Sequence, residues 1–249
     1  SNLTHLIMVA GHTIYMGDDF SHAGSRPQEW YLADYQRAQL GAFKEHIRTG
    51  VRMTRDDPSS LLLFSGSATR PLAGPRSEGA SYWLYAEANV TPNPVKLART
   101  EEFAHDSFEN LLFSVCRFRQ LAGRYPESIS VVSLPFKERR FRDEHRKAMR
   151  FPEEHFHFIG APLPTLARGV GAGGGGESKH ALEPYRKDPY GCNGTLAAKK
   201  RRRNPYKTAT PYPQGCEEIA VLFSTCGPRT FAGPLPWDPV PSNNGVLNE

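Results

Sequence analysis

Four short segments hold the residue types from which a binding or catalytic site could be built: Gly11-His12-Thr13; Ser65-Gly66-Ser67 with Ser77-Glu78 further on; residues 101–110; and residues 133–140. Glu78 and Glu101 are carboxylates able to act as general bases, Asn110 can orient a polar group, and Arg140 can clamp an anion through its planar fork. These four are the candidate catalytic set. Gly11, Ser65, Gly66, Ser67 and Ser107 offer small side chains and backbone N–H groups that a phosphate can approach, with His12, Ser133 and Lys137 beside them. Each has an ordinary role to set against this one. Glu78 suits the first turn of a helix, Glu109 suits a cap, and Arg140 could pair with Glu144 at i+4.

The elements that must position these segments can be read from hydrophobic spacing. Residues 4–10 (THLIMVA), 61–64 (LLLF) and 128–134 (SISVVSL) are compact apolar runs of strand length, and 155–159 (HFHFI) reads as a shorter strand. Phe108, Leu111, Leu112 and Val115 recur at helical spacing, with Asp106 as N-cap and Glu109 three positions later. A helix over roughly 77–89 follows the second strand, and Leu40, Phe43 and Ile47 mark an earlier one whose capping box reads as Ser25 with Gln28. Phe141, His145, Ala148 and Met149 share one face of a further helix. Strands alternating with helices predict a parallel sheet covered on both faces, in which ligands bind outside the carboxyl ends of the strands. All four candidate segments lie at such ends.

The sequence divides into a core over 1–165, an insertion over 166–213 and a tail over 214–249. The insertion opens with GVGAGGGGES, a flexible tract that lacks the G-K-[ST] ending of a phosphate loop, and continues to the basic run KKRRR at 199–203. In the tail, GCEEIAVLFSTC places Cys216, Ile219, Ala220 and Phe223 on one helical stripe, and the proline-rich GPLPWDPVP is expected to lie along the surface through Trp237. A linker, TPNPVKLART, separates the second helix from the third.

The 249 residues suffice for one large α/β domain, and no apolar stretch reaches the roughly 20 residues that span a bilayer. The four cysteines are far apart in sequence, without finger-like partners, so a reducing, cytoplasmic setting is expected rather than disulfides or zinc. His5, His22, His145, His155 and His157 form no metal-ligand spacing. A net charge of +5 favours anionic partners, and the basic run could contact nucleic acid or a partner protein.

In their order the four segments resemble the SanA/YdcF-like family, domain of unknown function 218. In that family a strand ending in Gly is followed by S-G-G and S-E-A, a block ending T-x-E-N, and a strand leading into T-S-x-x-H-x-x-R. The matching residues are Gly11; Ser65-Gly66-Ser67 and Ser77-Glu78-Gly79; Glu101, Ser107, Glu109 and Asn110; and Ser133 with Arg140. Ala104 stands where the family has a hydroxyl and Lys137 where it has the histidine, which puts imidazole proton transfer from that position in doubt and leaves Lys137 an anion contact. The tail is similar to elaborations in eukaryotic, fungal members. The resemblance implies a Rossmann-like fold and binding of a nucleotide or S-adenosylmethionine. The expectation is a protein that binds an anionic, nucleotide-like or phosphorylated small molecule, with hydrolysis or group transfer if it is an enzyme. A non-catalytic scaffold acting through the basic run is the alternative.

Overall fold

A computed structural model of the protein describes residues 2–90, 98–160 and 181–239. The Gly-rich tract and most of the TPNPVKLART linker lie outside the described residues.

Five strands form one all-parallel sheet: β1 (His5–Ala10), β4 (Ser60–Ser65), β5 (Ala98–Glu101), β6 (Ser128–Ser133) and β7 (Phe156–Gly160), in the order β5-β4-β1-β6-β7. Two short strands, β2 (Ile14–Tyr15) and β3 (Trp30–Tyr31), pair antiparallel apart from it. The fold is thus α/β and Rossmann-like, with β1 flanked by β4 on one side and β6 on the other, so that the chain reverses its direction of travel across the sheet there.

The period-2 alternation of the strands divides the core. Ile7, Val9, Leu62, Phe64 and Val132 face α1 (Leu40–Asp56) and α2 (Glu78–Asn89). Leu6, Met8, Leu61, Leu63, Ile129 and Val131 face α3 (Ser107–Ala122) and the segment after β6, a π-helical turn over Arg140–His145 continuing into α4 (Arg146–Met149). Asp106 caps α3 as the sequence predicts, its Oδ1 accepting from Glu109 N at 2.8 Å. Phe141, His145, Ala148 and Met149 are all buried.

Several expectations need correction. The first helix begins at Leu40. Residues 27–29 form a single 3₁₀ turn in which Arg26 N donates to Glu29 Oε2, and Trp30–Tyr31 is strand. Glu101 closes a strand and is not in a loop: β5 pairs with β4 although only Ala98 and Glu101 of its four residues are buried. Residues 181–213, expected as loop, contain α5 (Glu183–Lys187) and α6 (Gly194–Arg202), which dock Tyr185 and Leu196 into the core. The predicted C-terminal helix is broken into a 3₁₀ turn over Glu217–Ile219 and α7 (Val221–Ser224). Cys216, Ile219 and Leu222 are the buried positions, a three-residue spacing that suits a 3₁₀ winding better than an α-helical stripe.

The cysteines overturn the expectation of free thiols. Cys116 on α3 is bonded to Cys216, and Cys192 just before α6 to Cys226, so both disulfides tie the C-terminal segments to the body of the protein. Among the described residues no helix is long and apolar enough to cross a membrane.

Candidate functional site

Register brings the candidate residues level. Ala10 pairs with Ser65, and Ser65 with Glu101, so three strand ends lie side by side at the carboxyl edge. Just beyond it, α2 begins with its first residue, Glu78, wedged against the glycines that end β1 and β4. A Cβ on Gly11 would stand 2.5 Å from Glu78 Cβ, and one on Gly66, whose φ is +146°, would stand 2.8 Å from Glu78 Oε2. These glycines are therefore required by the approach of Glu78. Gly66 does not line the cavity described below, so its expected part in cradling a ligand is not what the geometry explains. Thr69 Oγ1 donates to Glu78 Oε1 at 2.5 Å, fixing the carboxylate at the rim.

Behind the rim lies a buried relay. Ser65 Oγ is 2.7 Å from Glu101 Oε2 and 3.0 Å from Asn110 Oδ1, while Phe103 N donates to Glu101 Oε1 at 2.8 Å. Burial raises the Glu101 carboxyl to about 7, against the hydrogen bonds from Ser65 and Phe103. The hydroxyl has one proton to give. With Glu101 ionised Ser65 donates to it; with Glu101 protonated, Glu101 can donate to Ser65 and Ser65 to Asn110. The protonation of a carboxyl that is 1% exposed is thereby carried to Asn110.

Asn110 is one wall of a cavity of about 560 Å³, the size of an ordinary small-molecule site. Gly11, His12, Glu78, Ser107, Lys137 and Arg140 also line it. Of the expected set, Ser65, Ser67, Glu101 and Ser133 stand behind this lining. Ser65 and Glu101 reach it through Asn110, Ser133 Oγ lies 3.5 Å from His12 Nε2, and Ser67 Oγ is buried without a hydrogen-bond partner.

His12 and His105 line the cavity, and His145 stands behind Ser107. His12 Nδ1 donates to Ala10 O at 2.7 Å, which leaves Nε2 as the bare nitrogen, and Lys137 Nζ lies 2.7 Å from it. Burial first, then the Lys137 charge, holds His12 well below the usual histidine range, so the ring is neutral. His145, which the sequence analysis treated only as part of a buried helical face, places Nε2 2.8 Å from Ser107 Oγ. Burial and the charges of Arg140, Lys199 and Lys200 likewise hold it far below its usual range.

The larger omission is α6. Lys199 and Arg203, from the basic run, line the cavity, as do Arg70 and the exposed ring of Tyr35. Lys200 lies 3.3 Å from Glu109 Oε1 and 3.8 Å from Asp106 Oδ2, and Arg203 Nη1 donates to His105 O at 3.1 Å, which fastens the helix across the start of α3. A signal was present: Leu196, Lys199, Lys200 and Arg203 fall at i, i+3, i+4 and i+7 and share one helical face. Reading the run by charge alone conceals that spacing.

One curated protein is similar along nearly the whole chain: an uncharacterised protein of Saccharomyces cerevisiae, YOR238W, 29% identical over 268 aligned residues that cover 86% of this chain and 88% of that one. No protein-family profile matches the chain, and no solved structure does.

Proposed function

We propose that the cavity binds a phosphorylated, nucleotide-like small molecule, and that the chain is a SanA/YdcF-like protein. The observation that carries this reading is the convergence of cations: Arg70, Lys137, Arg140, Lys199 and Arg203, from separate segments of the chain, border one cavity. Such a wall favours an anion. Cations in the lining suit a phosphate better than the cationic sulfonium of S-adenosylmethionine. Tyr35 and Phe136 supply aromatic surface in the same cavity, suited to a planar base.

If chemistry occurs, hydrolysis or group transfer fits the groups at hand. Glu78 is the carboxylate on the rim and would orient or deprotonate water or an acceptor, while Arg140 and the amides at the start of α3 would stabilise developing negative charge. Glu101 acts from behind, through Ser65 and Asn110. The imidazole that the family resemblance places at the position of Lys137 has a counterpart in His12. The scaffold alternative keeps only part of its basic run, because Arg201 and Arg202 are exposed while Lys199, Lys200 and Arg203 turn toward the core.

The two disulfides favour an oxidising compartment over the cytoplasm expected from the sequence.

A thermal-shift screen of nucleotides, sugar phosphates and S-adenosylmethionine tests the reading. A ligand at about 100 times its Kd should add about 2.7 kcal/mol, raising Tm by roughly 5–10 °C. Arg140→Ala and Glu78→Gln should reduce that rise. No rise with any phosphorylated compound, or an undiminished one in both folded variants, contradicts it.

A further inference from the structure

His105 stands just before Asp106, the cap of α3, and one carboxylate holds both its backbone and its ring. Its backbone N donates to Glu109 Oε2 at 2.8 Å, and its ring Nδ1 lies 3.1 Å from the same oxygen. The other oxygen, Oε1, faces Lys200 Nζ at 3.3 Å. Burial opposes the charge of Glu109, but the His105 hydrogen bonds and the Lys200 charge outweigh it and hold the carboxyl below its usual range. Glu109 is therefore ionised. An ionised carboxylate only accepts, so the ring hydrogen of His105 belongs on Nδ1 and the bare nitrogen is Nε2.

That nitrogen is open. His105 lines the cavity with a side chain that is 11% exposed, and among the described residues Nε2 has no hydrogen-bond partner and is not one of the atoms sealed from solvent. The neighbouring imidazoles differ: His12 Nε2 is taken by Lys137, and His46 and His145 are fully buried. Ser67 N donates to Ala104 O at 2.9 Å and Ser67 O accepts from Glu78 N at 3.1 Å, so a single residue ties the segment carrying His105 to the start of α2. A bare imidazole nitrogen with a carboxylate behind the other nitrogen is the arrangement of a general base, because the carboxylate fixes the tautomer and stabilises the imidazolium that forms.

We propose that His105, oriented by Glu109, is a catalytic base of this cavity and serves the hydrolysis of a phosphate ester or anhydride. This rests on the phosphorylated-ligand reading above and gives it a reaction. Nε2 takes a proton from a water molecule oriented by Glu78 while the water oxygen bonds to phosphorus. The P–O bond to the leaving group breaks with its electron pair staying on the leaving oxygen, and the imidazolium passes its proton to that oxygen or to solvent. Water is the only co-reactant, and no atom changes oxidation state. Glu109 is a positioning residue.

Release of inorganic phosphate from ATP, ADP, AMP and p-nitrophenyl phosphate, with Tm measured in the presence of each, tests the assignment on the disulfide-bonded protein. At least one compound should be hydrolysed. His105→Asn keeps an N–H where Nδ1 stands and lacks Nε2, so kcat should fall about 100-fold or more with KM and the Tm rise nearly unchanged. Glu109→Gln, whose amide can donate to Nδ1 and reverse the tautomer, should lower kcat in the same way. Diethyl pyrocarbonate, which acylates a bare imidazole nitrogen, should modify His105 faster than His12, His46 or His145 in peptide mapping. Hydrolysis of none of the four compounds, hydrolysis that His105→Asn leaves undiminished, or a His105 modified no faster than His12 overturns the catalytic base alone while a Tm rise persists. No Tm rise with any phosphorylated compound removes the ligand reading with it.

Discussion

Lys137 Nζ lies 2.7 Å from His12 Nε2, joining the segment after β6 to the segment after β1 at the floor of the cavity. The bond has a direction, because His12 Nδ1 already donates to Ala10 O. Lys137 is the donor, and His12 stays neutral because both burial and the lysine charge oppose its protonation. Lys137→Met removes only the smaller of these causes. The pKa of His12, followed by NMR titration of its ring, should rise in this variant and still remain below the usual value of about 6.5. A His12 that titrates normally in the unaltered protein would contradict the described burial.

Buried titratable groups make stability depend on pH in opposite senses. His46, held down to about 3 by burial and Lys137, behaves as His12 and His145 do: the unfolded chain binds their protons first, so their contribution is complete above the unfolded pKa and is lost as pH falls. Glu101 runs the other way. Its folded pKa of about 7 exceeds the usual 4.5, so its contribution is complete below 4.5 and is lost as pH rises through 7. Glu101→Gln should therefore stabilise the protein relative to wild type at pH 8, by on the order of 3 kcal/mol, with the advantage vanishing near pH 4.5. Urea unfolding of both proteins across this range is the measurement, and a pH-independent difference would refute the assignment.

Glu78 and Gly11 are coupled by contact. Gly11→Ala places a methyl group 2.5 Å from Glu78 Cβ and 3.0 Å from Ser65 O, and should cost about 1–3 kcal/mol by overpacking. Glu78→Gly removes the nearer obstacle. In a double-mutant cycle by denaturant unfolding the two changes should be non-additive, the second offsetting part of the first. Additive costs would mean that the wedge of Glu78 does not determine residue 11.

All four cysteines are paired, so thiol titration of the denatured, unreduced protein should find no free thiol. Reduction should lower Tm. The Cys116–Cys216 bond joins positions 100 residues apart, for which chain entropy gives about 4.7 kcal/mol. Four titratable thiols before reduction would restore the expectation drawn from their spacing.

Much of the site was legible because chemistry sits where periodicity breaks. Gly11, Ser65 and Ser133 mark the ends of apolar runs, and Glu78 and Asn110 lie within the first turns of helices, so their convergence follows from parallel strands alone. Glu101 was misplaced because β5 has no apolar run: it is a short edge strand whose last buried residue is the carboxylate itself. The pairing of Cys116 with Cys216 and of Cys192 with Cys226 depends on tertiary proximity that spacing does not encode. Lys199 and Arg203 were hidden by composition, since a run of five cations resembles a solvated face until its helical spacing is read. His145 was recognised as buried, but its bond to Ser107 spans 38 residues of sequence and belongs to the packing of α3 against the π-helical turn.

A crystal structure of the protein with a bound nucleotide tests the central claim most directly. The account predicts phosphate density inside the cavity, within hydrogen-bond reach of Arg140. An empty cavity at saturating ligand, or phosphates bound elsewhere on the surface, would contradict it.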